Sequence, residues 1–313
     1  MTEYHDIYSV ADYIEAIKNF KLYGVNGSRS EGARLYYRGE PADYGETAGT
    51  PSIARGRWLE GNGESTLFRE CERRLPHEFA NCKTTFEKLV LMQHYQIRTR
   101  LLDVSFGPLQ ALFFALYIDP KSKQDDFCDS IVLVYEIPDE AICSWHSDKV
   151  SVISNIAVYA YDDLDIRDLP DNEESANLFD TKDDSFNKNE QIQQLVHEIR
   201  AEKSYFINRI IKSHMESIYC VHPLLDNPRI RAQQGAFLLF GMKGDKHHLA
   251  TLESNKGPKI SMAKIRIPQG AKPRIREELE LLGQMVGTIY PDWQGVSDYF
   301  ERFYRKTAEE FYK

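Results

Sequence analysis

The chain has 313 residues and a net charge of −9, with 42% apolar and 28% charged residues, the profile of a globular protein long enough for one large domain or two modest ones. No apolar run approaches the roughly 18 residues of a membrane span, and the opening MTEYHDIYSV lacks the basic and apolar regions of a signal peptide. A cytoplasmic protein with no membrane partner is therefore expected. The five cysteines are widely spaced, which suits a reducing compartment, and neither they nor His197, His214 and His222 show metal-ligand spacing, so no metal is expected.

Ser9 can cap a first helix whose apolar positions Val10, Tyr13, Ile14, Ile17 and Phe20 recur at helical spacing. A Gly/Ser-rich stretch over 24–32 leads into a strand at 35–37. Residues 41–63 read as loop and 65–79 as helix. Thr84 to Glu87 form a capping box ahead of a helix over 85–95. An apolar helix follows over 108–117, with Pro near its start, where the lost amide proton costs little. Residues 130–135 read as a buried strand.

The segment 162–190 carries eleven acidic residues against Arg167, Lys182 and Lys188, a balance of −8. Nearly the whole excess charge thus sits in one insertion, read as a mobile loop or lid that is dispensable for folding. The near-neutral remainder argues against a broad basic footprint for nucleic acid. A long amphipathic helix is expected over 191–215, strands over 235–240 and 260–267, a helix from Pro273 to Gly283, and a last helix over 296–311. Helices and strands mix without βαβ alternation, which points to α+β.

The chemistry concentrates between positions 35 and 117. Tyr37-Arg38-Gly39 closes the first strand, and a guanidinium beside a Gly suits phosphate or ribose recognition. Further on, His94, Arg100, Asp103 and Ser105 lie between apolar helices, where polar groups are costly to bury unless paired. The plainer reading of the same residues is an internal Asp103–Arg100 pair, with Ser105 as a helix cap and His94 as a satisfied core residue.

The sequence resembles the FRG-domain family. The matching pieces are Tyr37-Arg38-Gly39-Glu40, Pro51-Ser52-Ile53 with Arg55, Gln93-His94-Tyr95, Thr99-Arg100-Leu101-Leu102-Asp103, and Pro108 to Ala115. Weaker echoes are Arg229-Ile230, Gln233 to Phe237 and Tyr290-Pro291-Asp292. The resemblance implies an N-terminal helix and linker over 1–33, an FRG domain over 34–268 containing the acidic insertion, and a helical extension over 269–313. The chain is also similar, more faintly, to ADP-ribosyltransferases of the Arg-Ser-Glu type. Asp103-Val104-Ser105 is followed after five residues by Ala111-Leu112-Phe113-Phe114-Ala115, the spacing of that family, but the late Glu position holds Gln234.

That second resemblance implies a split central β-sheet flanked by helices and NAD as substrate. Arg38 would contact the ribose-phosphate, Ser105 would orient the nicotinamide ribose, and a carboxylate would steady the oxocarbenium-like transition state. Tyr37, Gly39, Arg55 and Arg100 would complete the cofactor site, with His94, Asp103 and Gln234 beside Arg38 and Ser105 in catalysis. Gln234 cannot offset developing positive charge, so Glu40, Asp103 or Glu202 would have to substitute. The leading expectation is an ADP-ribosyltransferase-like enzyme acting on a protein or nucleic-acid acceptor, such as a bacterial toxin or defence effector. The alternative is a non-catalytic module that binds a nucleotide or nucleic acid through Arg38, Arg55 and Arg100, and a hydrolase built on His94 and Asp103 comes third. On these readings Arg38→Ala should leave stability nearly unchanged, and Ser105→Ala should lower activity alone.

Overall fold

The computed structural model describes residues 5–117, 127–161, 163–172, 185–291, 293, 295–297 and 300. In chain order the elements are β1 (His5–Asp6), α1 (Val10–Tyr23), β2 (Ala33–Glu40), α2 (Gly63–Arg74), α3 (Pro76–Phe79), α4 (Thr85–His94), β3 (Leu101–Ser105) and α5 (Pro108–Leu116). They continue with β4 (Ser130–Pro138), β5 (Ile142–Ser144), α6 (Asp148–Ile156), α7 (Ser185–Lys188), α8 (Glu190–Glu202), α9 (Lys212–Met215), β6 (Ile218–His222) and α10 (Pro228–Ala232). Last come β7 (Gly235–Phe240), β8 (Met242–Lys243), β9 (Asp245–Leu249), β10 (Ser261–Ile267), α11 (Lys272–Leu281) and α12 (Val286–Ile289).

The fold is α+β, built on one sheet of 8 strands in the order β1-β10-β4-β2-β3-β7-β6-β5. The sheet is continuous where a split one was expected, yet its centre is barely joined. β2 pairs with β4 over its full length and β3 with β7 over all of its own, but β2 meets β3 only at Tyr37 and Ser105. Two four-stranded halves therefore abut along a seam.

Strand alternation decides what each face carries. On one face Tyr37, Val132, Val134, Ile265 and Ile267 pack beneath α1, α5, α11 and α12, while Leu101, Tyr219, Val221, Phe237 and Leu239 pack beneath α4, α6 and α8. The opposite face, with Tyr36, Leu102, Leu133, Tyr135 and Leu238, is covered by irregular segments carrying Ala48, Leu252 and Ile260. The N-terminal helix and the C-terminal extension share one core: the Val10 amide donates to Glu278 at 2.6 Å.

Local signals explain the element ends. The Ser9 hydroxyl accepts the Asp12 amide proton at 3.1 Å and opens α1. Thr84 accepts from Glu87, whose carboxylate reaches back to the Lys83 amide, one residue earlier than in the box read from sequence. The expected helix over 191–215 instead stops at Glu202. Beyond it the chain is held extended by side chains: Asn187 bonds both the N–H and the C=O of Ile210, and Asn172 accepts the Lys212 amide. These backbone groups have partners without a helix.

The acidic insertion is narrower than its charge suggested. Leu164, Ile166 and Phe186 are buried in the core, and the Ile166 amide donates to the Gly244 carbonyl at 2.8 Å. Residues 162 and 173–184 of the insertion lie outside the described residues, as do 301–311 of the last expected helix.

Candidate functional site at the strand seam

Gly39 of the Tyr-Arg-Gly tripeptide makes room for a helix. A Cβ there would lie 1.9 Å from the Ala111 carbonyl oxygen and 2.4 Å from the Ala115 nitrogen, so α5 seats directly on β2. The expected role of Gly39 in admitting ligand to the backbone gives way to this packing. Tyr37 is buried on the same face, and burial pushes its hydroxyl up to about 12. It is a core residue at the one point where the halves register.

Arg38 lies on the opposite face, where pairing lapses. Its Nε donates to Glu40 Oε1 at 2.9 Å and its NH1 to the Asp103 carbonyl at 3.0 Å, so the side chain bridges the gap between β2 and β3. The Asp103 carboxylate stands 3.9 Å away and is 52% exposed, whereas the Glu40 side chain is 1% exposed. Burial opposes the charge on Arg38, but Glu40 and Asp103 more than offset it and raise its pKa. Glu40 Oε1 also accepts the Gly49 amide, while Glu40 Oε2 and the Tyr135 hydroxyl are buried without a hydrogen-bond partner among the described residues.

Gln93, which the sequence reading left without a role, orders this seam. Its Oε1 accepts the Thr99 hydroxyl proton at 2.6 Å and its Nε2 donates to Asp103 Oδ2 at 2.7 Å. Gln96, at a left-handed φ of 61°, turns the chain between α4 and β3 so that these groups meet. Spacing alone could not show this, because the bonds cross a turn.

Other expected ligand contacts are committed to the fold. Arg100 is fully buried; its Nε and NH2 grip the Glu64 carboxylate and its NH1 donates to the Phe240 carbonyl. It therefore neither pairs with Asp103 nor faces a ligand. Arg55 donates to the Thr50 carbonyl and lies over the Tyr44 ring. Of the substitute carboxylates, Glu202 accepts the Thr85 amide proton at the start of α4.

The Ser105 hydroxyl donates to the Gln233 carbonyl at 2.7 Å and accepts the Gly107 amide at 3.1 Å. Gln234, at a φ of 47°, accepts the Phe106 amide proton on its carbonyl. These bonds tie the turn before α5 to the start of β7. Ser105→Ala is accordingly expected to cost about 1–2 kcal/mol of stability, seen as a lower urea midpoint. An unchanged midpoint would return the hydroxyl to ligand binding.

His94 ends α4 between the seam and a cleft of about 340 Å³ that the loop after β6 helps to line. Asn227 caps α10 by accepting the Arg229 amide on Oδ1 at 2.8 Å, so its Nδ2 must face His94 Nδ1, 3.2 Å away. That donor fixes a neutral ring with its proton on Nε2. His94 thus offers a hydrogen-bond donor to solvent rather than the basic nitrogen a hydrolase would need.

Burial is the largest cause lowering the pKa of both His94 and His222 from 6.5. As pH falls through that value the unfolded chain gains protons before the folded one does, so stability is lost on the acid side. The urea midpoint should be lower at about pH 5.5 than at about pH 7.5. A double His94→Gln/His222→Gln variant should flatten the difference, and an unflattened profile would assign it to other groups.

Comparison with curated proteins and with solved structures gives no match. Residues 33–125 match the model of the FRG domain, a stretch that begins at β2 and contains Arg38, Glu40, Gln93 and Asp103. The weaker echoes after residue 228 fall beyond it. This part of the chain is an FRG domain.

Proposed function

We propose that the seam binds a nucleotide through its ribose or ribose-phosphate. One observation carries the reading. Arg38 is fixed at two of its three nitrogens, and the third has no partner among the described residues beside a half-exposed Asp103 carboxylate. A held guanidinium next to a half-exposed carboxylate, of which Gln93 occupies one oxygen, suits a ligand carrying both phosphate oxygens and hydroxyls. Orientation fixed in advance lowers the cost of binding.

A second reading keeps NAD-dependent ADP-ribosyl transfer, with a protein or nucleic-acid acceptor and a toxin or defence role. The exposed Asp103 favours it, as the one substitute carboxylate open to a sugar. The commitment of Ser105 and the lack of charge on Gln234 weigh against the Arg-Ser-Glu arrangement itself. Titrating ADP-ribose and NAD into the whole chain, with nicotinamide release followed in parallel, separates the two readings. Binding without release, weakened about tenfold in Asp103→Asn, supports the module. Release that disappears in Asp103→Asn supports the transferase. Neither binding nor release sinks both.

A further inference from the structure

The cleft beyond His94 has a composition of its own. Its floor is apolar, with Phe86, Val90 and Ile230 buried. Its rim carries three carboxylates, Glu78, Glu87 and Asp226, and no Lys or Arg among the described residues lines it. Two neighbouring cations are engaged elsewhere: Lys88 pairs with Glu72 at 2.6 Å, and Arg229 stacks on the Tyr290 ring at 5.1 Å. The cleft therefore combines an apolar floor with a lining whose formal charges are all negative, and its volume falls within the range of small-molecule sites.

A further observation is independent of that charge. His94 is held neutral by Asn227, and its Nε2–H has no partner among the described residues. A donor on a fixed ring beside an apolar floor would orient a ligand's acceptor.

We propose that this cleft binds a small organic cation: a protonated amine on an apolar or aromatic body that also carries a hydrogen-bond acceptor. The amine faces Glu78 and Asp226, the body covers Phe86 and Ile230, and the acceptor takes the His94 proton. The assignment does not rest on the nucleotide reading, since neither Arg38 nor Asp103 lines the cleft.

Three probes of nearly one shape test it on the whole chain: tyramine (cationic), tyrosol (neutral) and 4-hydroxyphenylacetate (anionic), titrated by calorimetry or ligand-observed NMR. Tyramine should bind at least about tenfold more tightly than tyrosol, and the anion should not bind. A double Glu78→Gln/Asp226→Asn variant, at two exposed positions, should weaken tyramine about tenfold while leaving tyrosol unchanged. Glu70→Gln, which removes a surface carboxylate outside the cleft, should change nothing. Equal binding of the three probes, no binding of tyramine, or indifference to the double variant would each overturn the proposal. Loss of nucleotide binding with tyramine binding intact would sink only the seam reading.

Discussion

Arg38→Ala is expected to lower the unfolding free energy by about 3 kcal/mol, the scale for stranding a buried charge. This replaces the near-neutral outcome expected of a surface arginine. The Glu40 side chain is 1% exposed, and one of its oxygens already lacks a partner among the described residues. Without the guanidinium its charge keeps only the Gly49 amide. The Asp103 carbonyl loses the donor that spans the seam. Urea unfolding of the single variant and of a double Arg38→Met/Glu40→Leu variant tests this, because removing both charges should recover most of the loss. A single variant within about 0.5 kcal/mol of the parent would show that Arg38 serves a ligand alone.

Gly39→Ala should be at least as damaging, by a different route. The new methyl would meet backbone atoms of Ala111 and Ala115, and backbone cannot swing aside as a side chain can. Helix α5 would have to lift from β2, opening the core that holds Tyr37, Val132 and Val134. The expected cost is about 3 kcal/mol or more, at the upper end for overpacking. Circular dichroism melting and the soluble yield report it. Ala111→Gly should not rescue the variant, because the obstacle is the carbonyl oxygen. A Gly39→Ala protein of parental stability would overturn the packing role and restore a ligand-facing one.

Elements with strong local chemistry were legible in the sequence: the Ser9 cap, the Thr84 cap, the Pro at the start of α5, and the apolar runs of β4, β7 and β10. Elements without it were not. Strands β1 and β5 are two and three residues long and exist only by pairing with β10 and β6. The end of α8 depends on Asn187, a side chain on the preceding helix. The candidate site divides in the same way. Arg38 and Arg100 looked equivalent by type, but what separates them is Glu64, 36 positions before Arg100. Ser105 had the right spacing for a ribose contact, while its hydrogen bond reaches Gln233, 128 positions later. Residue type was readable at these positions, and the identity of the partner was not.

The single registered pair at Tyr37 and Ser105 bears on how the molecule opens. Backbone cooperativity runs along ladders, and here the ladder thins to one rung between two well-paired blocks. Native-state hydrogen exchange should therefore resolve two protection groups, amides of β2, β4 and β10 in one and of β3, β6 and β7 in the other, each with its own opening free energy. The Arg38 guanidinium, donating across the gap to the Asp103 carbonyl, stands in for the missing rungs. A ligand that bridges Arg38 and Asp103 would act as a further rung. It would slow exchange on both sides of the line at once, far beyond the residues it touches.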